Sequence, residues 1–308
     1  MLEPMMYEGG VYQHNLIEEL VEDLGGYILQ KNIMQTEVVI IMLVPIKDTG
    51  LVRDMTKKLL GELTRAPLSG TEIAVVAPTL AYHHLPHPDC DIAEFLRRKG
   101  AKTNMVGLAR GVGARTCQIS AHERELINEH DVAVYVFGNF KHCITDSKPK
   151  LFEGINIPIV VTGAPEIDIA DIPDANVYVS NLGRIAHRLR KGEEMFAMDR
   201  VVNVVGDIFD KEREEIGKDL LSVMPPRVKK EIEDQVSAIN EVLSPLPITL
   251  RLRGLKVKLD FDEFHEQVSD VSFVEGVKLK DIADIRRSNM KNFILVDIKT
   301  KSETGFLI

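Results

Sequence analysis

The sequence predicts an α/β fold: a doubly wound, mainly parallel, Rossmann-like sheet, followed by long helices and a small α+β C-terminal module. Three observations carry this. Short apolar, β-branched runs such as Val38–Val44, Ile73–Ala77 and Val132–Phe137 have the composition of strands buried on both faces. Segments with helical spacing alternate with them, the pattern of a parallel sheet. Beyond residue 195 the alternation stops, and two long helical stretches and a hairpin follow.

The elements follow in order. Leu16, Ile17, Leu20, Val21 and Leu24 share a helical face, and Gly25-Gly26 ends that helix, within an N-terminal helical segment spanning 1–36. The Rossmann-like domain is read over 37–195. Val38–Val44 is its first strand, and Leu51, Met55, Leu59 and Leu63 mark a helical stripe. Ile73–Ala77 is the second strand and Asp91–Arg98 the next helix. Asn104–Leu108 is a third strand, and Ser120 caps a helix whose Glu123 completes a Ser-x-x-Glu capping box. Val132–Phe137, Ile157–Thr162 and Asn176–Val179 are further strands, before a basic helix over Leu182–Lys191. A helical connector spans 196–244, with Arg200–Met224 and Arg227–Leu243 broken at Pro225-Pro226. The module over 245–308 holds a hairpin, Thr249–Leu259, turning at Arg253-Gly254, and a final strand, Phe293–Ile298.

Composition excludes several classes. With 308 residues, 44% hydrophobic and 28% charged, the chain is an ordinary globular protein. A formal charge of −9 is wrong for a surface that coats phosphate, so nucleic acid is not an expected partner. The run Val38–Ile46 is far too short to cross a bilayer, which takes about 20 residues. With no signal-peptide pattern at Met1-Leu2-Glu3-Pro4, a cytoplasmic location without membrane contact is expected. Met5 and Met6 read as packing residues. Three cysteines in so long a chain make no disulfide framework.

Those cysteines are the centre of interest. Each follows a strand, and in an open α/β sheet such segments meet at the carboxyl ends of the strands. Cys90 closes the stretch His83-His84-Leu85-Pro86-His87-Pro88-Asp89-Cys90. With Asp89 as the natural N-cap, the Cys90 thiol is expected in the first helical turn, where the dipole favours thiolate. The bland alternative is a structural cysteine beside exposed histidines. Cys117 ends the segment Gly107-Leu108-Ala109-Arg110-Gly111-Val112-Gly113-Ala114-Arg115-Thr116-Cys117. Its glycines offer a backbone nest for an anion, and Arg110 and Arg115 add positive charge. A phosphate or an anionic sulfide cluster fits equally well. The glycine spacing is not the dinucleotide fingerprint. The alternative is a solvated loop. Cys143 follows Gly138-Asn139-Phe140-Lys141-His142, with a half-buried crossover cysteine as its alternative. Converging thiolates with imidazoles nearby suit a metal cluster. The chain has no G-x-x-x-x-G-K-[ST] motif, no C-x-x-C and no G-x-S-x-G elbow.

The segments Gly70–Ala81 (GTEIAVVAPTLA), His83–Glu94 (HHLPHPDCDIAE) and Gly107–Gly111 (GLARG) resemble methanogenesis marker protein 7, and the likeness runs nearly the full length. That resemblance implies a subunit of the ATP-dependent assembly that reductively activates the nickel cofactor of methyl-coenzyme M reductase in methanogenic archaea. It also implies a complex iron–sulfur cluster similar to nitrogenase cofactor precursors, of a kind that can be shared with a partner subunit, and ATP hydrolysis by a separate subunit. By analogy with nitrogenase-type sites, Cys90, Cys117 and Cys143 become the candidate ligands, with one histidine among His83, His84, His87 and His142. Arg110 and Arg115 would compensate cluster charge. The expected role is electron relay without turnover. Two alternatives stand beside it: an α/β protein binding a phosphate-bearing small molecule at the glycine–arginine loop, and a metal-free scaffold that docks the reductase.

Overall fold

In a computed structural model, the structure describes residues 2–77, 88–108, 117–183 and 192–308. The expected basic helix over Leu182–Lys191 lies almost wholly outside them. The fold is α/β, and the chain divides into two compact units: Met1–Thr71 joined with Arg213–Ile308, and Glu72–Glu212 between them in sequence.

The first unit opens with a strand where the sequence suggested only a helical segment. Its N-terminal elements are β1 (Leu2–Gly10), α1 (Asn15–Asp23), β2 (Tyr27–Met34), β3 (Glu37–Pro45), α2 (Thr49–Lys58) and β4 (Glu62–Arg65). They build an antiparallel sheet ordered β2-β3-β1-β4. The run Val38–Val44 is therefore not a strand of the parallel sheet. Its apolar character has another cause, because this antiparallel sheet is covered on both faces. Val38, Ile40, Met42 and Val44 pack with Ile17, Val21 and Val52 of α1 and α2. Ile41, with Val39 and Leu43, packs into a core shared with the C-terminal elements. Gly25, at φ 78°, takes the left-handed turn that ends α1. A Cβ on Gly26 would lie 2.4 Å from the Leu43 carbonyl oxygen, so the chain can re-enter the sheet there only without a side chain. The expected stripe Leu51–Leu63 is split: α2 ends at Lys58, Leu63 belongs to β4, and Leu51 is exposed. Met5 and Met6 are buried, as packing residues should be.

The second unit holds the parallel sheet. Its elements are β5 (Glu72–Ala77), α3 (Pro88–Arg97), β6 (Lys102–Gly107), α4 (Ala121–Asn128), β7 (Val132–Val136), β8 (Ile159–Thr162) and β9 (Val177–Val179). The strand order is β6-β5-β7-β8-β9, all parallel. Every residue of β5, β7 and β8 is buried, which is why those segments read as continuous apolar runs. The chain moves outward from β5 to β6, then returns past β5 to β7. With right-handed crossovers this puts α3 and α4 on opposite faces, and it makes the β5/β7 boundary a topological switch point. The core under α4 gathers Ala74, Val76, Ile127, Ala133, Tyr135, Phe137 and Phe152, and among the described residues it takes none from α3.

The rest of the chain is α5 (Gly192–Lys218), α6 (Pro225–Gln235), β10 (Ile248–Arg251), β11 (Gly254–Asp260), α7 (Phe261–Ser269), α8 (Leu279–Ile282), β12 (Ala283–Arg287), β13 (Phe293–Ile298) and α9 (Lys301–Thr304). Pro225 and Pro226 occupy the first turn of α6, where a missing N–H costs nothing. The expected helix reaching Met224 stops at Lys218, because Leu221 leaves it to bridge Thr300. The expected hairpin is present as β10 and β11 in an antiparallel sheet ordered β10-β11-β13-β12. The two-unit division cuts across the four consecutive segments read from sequence. The reason is the shared core: Met6, Leu29, Ile41 and Ala66 pack with Val228, Ile232, Ile248, Leu255 and Val296. No helix among the described residues is long and apolar enough to cross a membrane.

Candidate thiol site

The site is built at the carboxyl ends of β6 and β7. β6 ends at Gly107, and the Leu108 N–H still donates to the Ala77 carbonyl at 2.9 Å. Residues 109–116 lie outside the described residues, so Arg110, Gly111, Gly113 and Arg115 do too. The chain is described again at Cys117, which is half-buried. Three residues on, the expected capping box is complete: the Ser120 hydroxyl accepts from the Glu123 N–H, and the Glu123 carboxylate accepts from the Ser120 N–H at 2.7 Å. Cys117 and Ser120, with Arg124, Lys150 and Glu153, line an open cleft of about 450 Å³.

β7 runs out through Phe137, whose N–H donates to the Thr162 carbonyl, into Gly138. Among the described residues, a Cβ at Gly138 would meet nothing within 4 Å. Cys143 and Ile144 both donate their N–H groups to the Phe140 carbonyl, which starts a π-helix over Cys143–Ser147. Ile144 anchors it in the core under α4. The Lys148 N–H closes the turn on the Cys143 carbonyl, and a 3-10 helix, Lys148–Leu151, follows. Such π turns are rare and concentrate at functional sites.

Lys148 is the group that sequence reasoning missed. Its side chain is 7% exposed, and its Nζ lies 5.9 Å from the Phe137 ring centroid. Phe137 belongs to an aromatic floor with Tyr135 and Phe152, whose rings meet edge-on at 4.9 Å. Burial pushes the Lys148 ammonium down from its ordinary pKa, and negative charge at Cys117 and Cys143 opposes that shift. The ammonium therefore lies within electrostatic reach of both thiols. No sequence rule marks a lysine five positions after a cysteine; the π turn is what ties the Lys148 N–H to the Cys143 carbonyl.

The other expected residues fall differently. Cys90 lies in the first turn of α3, on the helix layer opposite α4, and is exposed. Asp89 does not precede this helix as an N-cap but is buried inside it. The expected thiolate stabilisation is reversed: partial burial, then the carboxylates of Asp89 and Asp91, push the Cys90 thiol up. His142 points outward, fully in solvent and 3.5 Å from Asp146. His83, His84 and His87 lie outside the described residues. Of the three thiols, Cys143 is tied through its carbonyl to the Lys148 N–H, and Cys90 lies on the other helix layer. Among the described residues, no three His, Cys, Asp or Glu side chains gather to hold a metal ion.

Comparison with known proteins places this chain in context. Residues 2–271 match the family described as methyl-coenzyme M reductase operon protein C. An uncharacterised protein of Methanocaldococcus jannaschii is 49% identical over 306 residues, 99% of this chain and 96% of its own length. The methyl-coenzyme M reductase I operon protein C of the same organism is 27% identical over 111 residues, 33% of this chain and 56% of that protein. A solved structure of Vibrio vulnificus NanR with ManNAc-6P aligns over 50% of this chain and 55% of its own at 12% identity and a TM-score of 0.26, too slight a likeness to bear on fold or ligand.

Proposed function

We propose that this chain, which belongs to the methyl-coenzyme M reductase operon protein C family, acts as methanogenesis marker protein 7 in the ATP-dependent complex that reductively activates methyl-coenzyme M reductase. Its part is to hold an iron–sulfur cluster and relay electrons towards the nickel cofactor, with ATP hydrolysed by another subunit. The observation that carries this reading is that Cys117 and Cys143 follow two neighbouring-in-sequence strands of a parallel sheet, β6 and β7, and that the π turn beginning at Cys143 ends on a buried lysine, Lys148.

The donor chemistry fits. Two soft thiols suit iron, and a buried cation offsets the negative charge that sulfide-bridged iron carries with its thiolates. The bound group would supply one-electron reduction at low potential. The protein's work is to hold and tune it: Cys117 and Cys143 as ligands, Lys148 as compensating charge, and the Tyr135–Phe137–Phe152 floor keeping water from one side. Two thiols are half the set that a four-cysteine cluster uses, so the remaining ligands come from elsewhere. A partner subunit is the first source to test, because Cys90 is exposed on the other helix layer and His87 lies outside the described residues. Arg110, Gly111, Gly113 and Arg115 lie outside the described residues and enter only as the anion nest and outer charge expected from the sequence.

Anaerobic purification with the natural partners, followed by iron and sulfide analysis and electron paramagnetic resonance, tests the reading. Brown protein that loses its iron in Cys117→Ser and Cys143→Ser is expected, and Cys90→Ala shows whether the third thiol takes part. Colourless, iron-free protein, alone and in its complex, would overturn it.

A further inference from the structure

We propose that the outer edge of β2 is a strand-addition slot for an extended segment of a partner protein, one whose side chains alternate between acidic and basic. The inference stands apart from the thiol site and does not depend on it.

β2 is an edge strand, paired in its sheet with β3 alone. Among the described residues, no backbone group outside that pairing hydrogen-bonds to residues 27–31. Such an edge is a template for another strand. It backs a cavity of about 350 Å³ that lies wholly within the first unit. α1 flanks the cavity from one face of the sheet with Glu18 and Glu22, and α6 flanks it from the other with Lys229, Lys230 and Glu233. The Lys229 side chain is 12% exposed, and its ammonium donates to the Ile28 carbonyl at 3.4 Å and to Glu233 at 2.7 Å. It supplies, at long range, the donor that an added strand would bring with its own N–H. Lys230 of α6 reaches Glu22 of α1 at 3.8 Å; because the two helices cover opposite faces, this pair spans the rim of the sheet. Both side chains are half exposed, and an exposed pair is worth little, so an entering strand parts it readily. The α6 flank then carries two lysines against Glu233, and the α1 flank carries Glu18 and Glu22 against Lys31, which holds Glu18 at 2.9 Å. Side chains of a strand point alternately to its two faces. A segment with acids at every second position and basic residues between them therefore meets opposite charge on both flanks. The five residues of edge that line the cavity give a length of about 17 Å, enough for a segment of about five or six residues.

Peptide binding to the full chain tests this. A fluorescein-labelled hexapeptide, Glu-Lys-Glu-Lys-Glu-Lys, is titrated and followed by anisotropy, and hydrogen exchange read by mass spectrometry locates the contact. Two controls share its composition: the block sequence Glu-Glu-Glu-Lys-Lys-Lys, and the alternating peptide with every backbone nitrogen methylated. The alternating peptide should bind about tenfold or more tighter than the block and should slow exchange over residues 27–31. The methylated peptide, which cannot donate to the edge, should not bind. Lys230→Glu and Glu22→Lys change half-exposed side chains, so both variants are expected to fold, as far-ultraviolet circular dichroism will verify. Each should weaken binding about threefold or more. Combining them should restore it, because an alternating peptide presents its other face after a shift of one residue. No binding up to about 1 mM, equal binding of either control, single variants that bind as the natural protein does, or protection only away from residues 27–31 would overturn the inference. Self-association that protects residues 27–31 without peptide would overturn it too, since a second copy would then fill the slot.

Discussion

Tyr135→Phe is a sharp test of how the site is held. The Tyr135 ring is fully buried near the carboxyl end of β7, and its hydroxyl donates to the Leu151 carbonyl at 3.0 Å. Leu151 ends the 3-10 helix that begins with Lys148, so one phenol ties the lysine-bearing segment to the sheet. Burial alone pushes the Tyr135 phenol far up, so it remains a donor at any pH the protein meets. Removing the hydroxyl leaves the ring packing against Phe137 and Phe152 intact. The loss is one net hydrogen bond of about 1 kcal/mol, plus the cost of a less well satisfied Leu151 carbonyl, for a total of roughly 1–3 kcal/mol. In a unit of this size that is a fall in melting temperature of about 3–10 °C. The assay is urea unfolding for the free energy, with hydrogen exchange for its location. The Phe152 amide, which donates to the Pro149 carbonyl, and the Lys148 amide should exchange about fivefold faster or more. A variant within about 0.3 kcal/mol of the natural protein, with unchanged exchange at those two amides, would refute the claim that this phenol anchors the segment.

Three further outcomes follow from the same coordinates of charge and packing. Burial pushes the Asp297 carboxyl up, but the Arg251 and Arg286 guanidinium groups outweigh it and hold it below the ordinary carboxylate range. Its contribution is therefore present above pH ~4 and lost as the pH falls through the lower folded-state value; Asp297→Asn should cost about 1–2 kcal/mol at neutral pH, discounted for partial exposure, and should flatten the acid limb of a stability–pH curve. The Cys90 thiol, raised by burial and by Asp89 and Asp91, should alkylate slowly near neutral pH; Asp91→Asn should move its rate–pH curve to lower pH in peptide mass spectrometry, and an unmoved curve would contradict the assigned cause. Ser120→Ala removes the hydroxyl that accepts from the Glu123 N–H and should cost about 1 kcal/mol in thermal unfolding, whereas Ser120→Asp should lose little.

Much of the parallel unit was legible because its physics is local. β5, β7 and β8 are enclosed on both faces and show it as unbroken apolar runs, and Ser120 with Glu123 announces its helix by residue type and spacing. The same rule misplaced Val38–Val44. Burial on both faces is what an apolar run reports, and an antiparallel sheet covered twice produces the same run. β1 was invisible because Pro4, Gly9 and Gly10 dilute a strand that is specified by its nine-residue pairing with β3. At the site, the strand-following positions of the thiols could be read from sequence. That Cys90 goes to one helix layer and Cys117 with Cys143 to the other depends on strand order, which no local pattern contains. Lys148 was missed for a similar reason: its role depends on one irregular turn, and in sequence it is an ordinary lysine before a proline.

The interrupted construction of the first unit has a consequence for biosynthesis. When the ribosome has made residues 1–71, the strands of that unit lack the apolar face supplied by Val228, Ile232, Ile248 and Val296, which emerge last. The thiol-bearing unit, contiguous from Glu72 to Glu212, has all its own strands much earlier. Synthesis in this order gives the nascent chain a finished cysteine edge while its N-terminal sheet still waits for a cover, and that interval is when chaperone capture of the N-terminal sheet should be strongest.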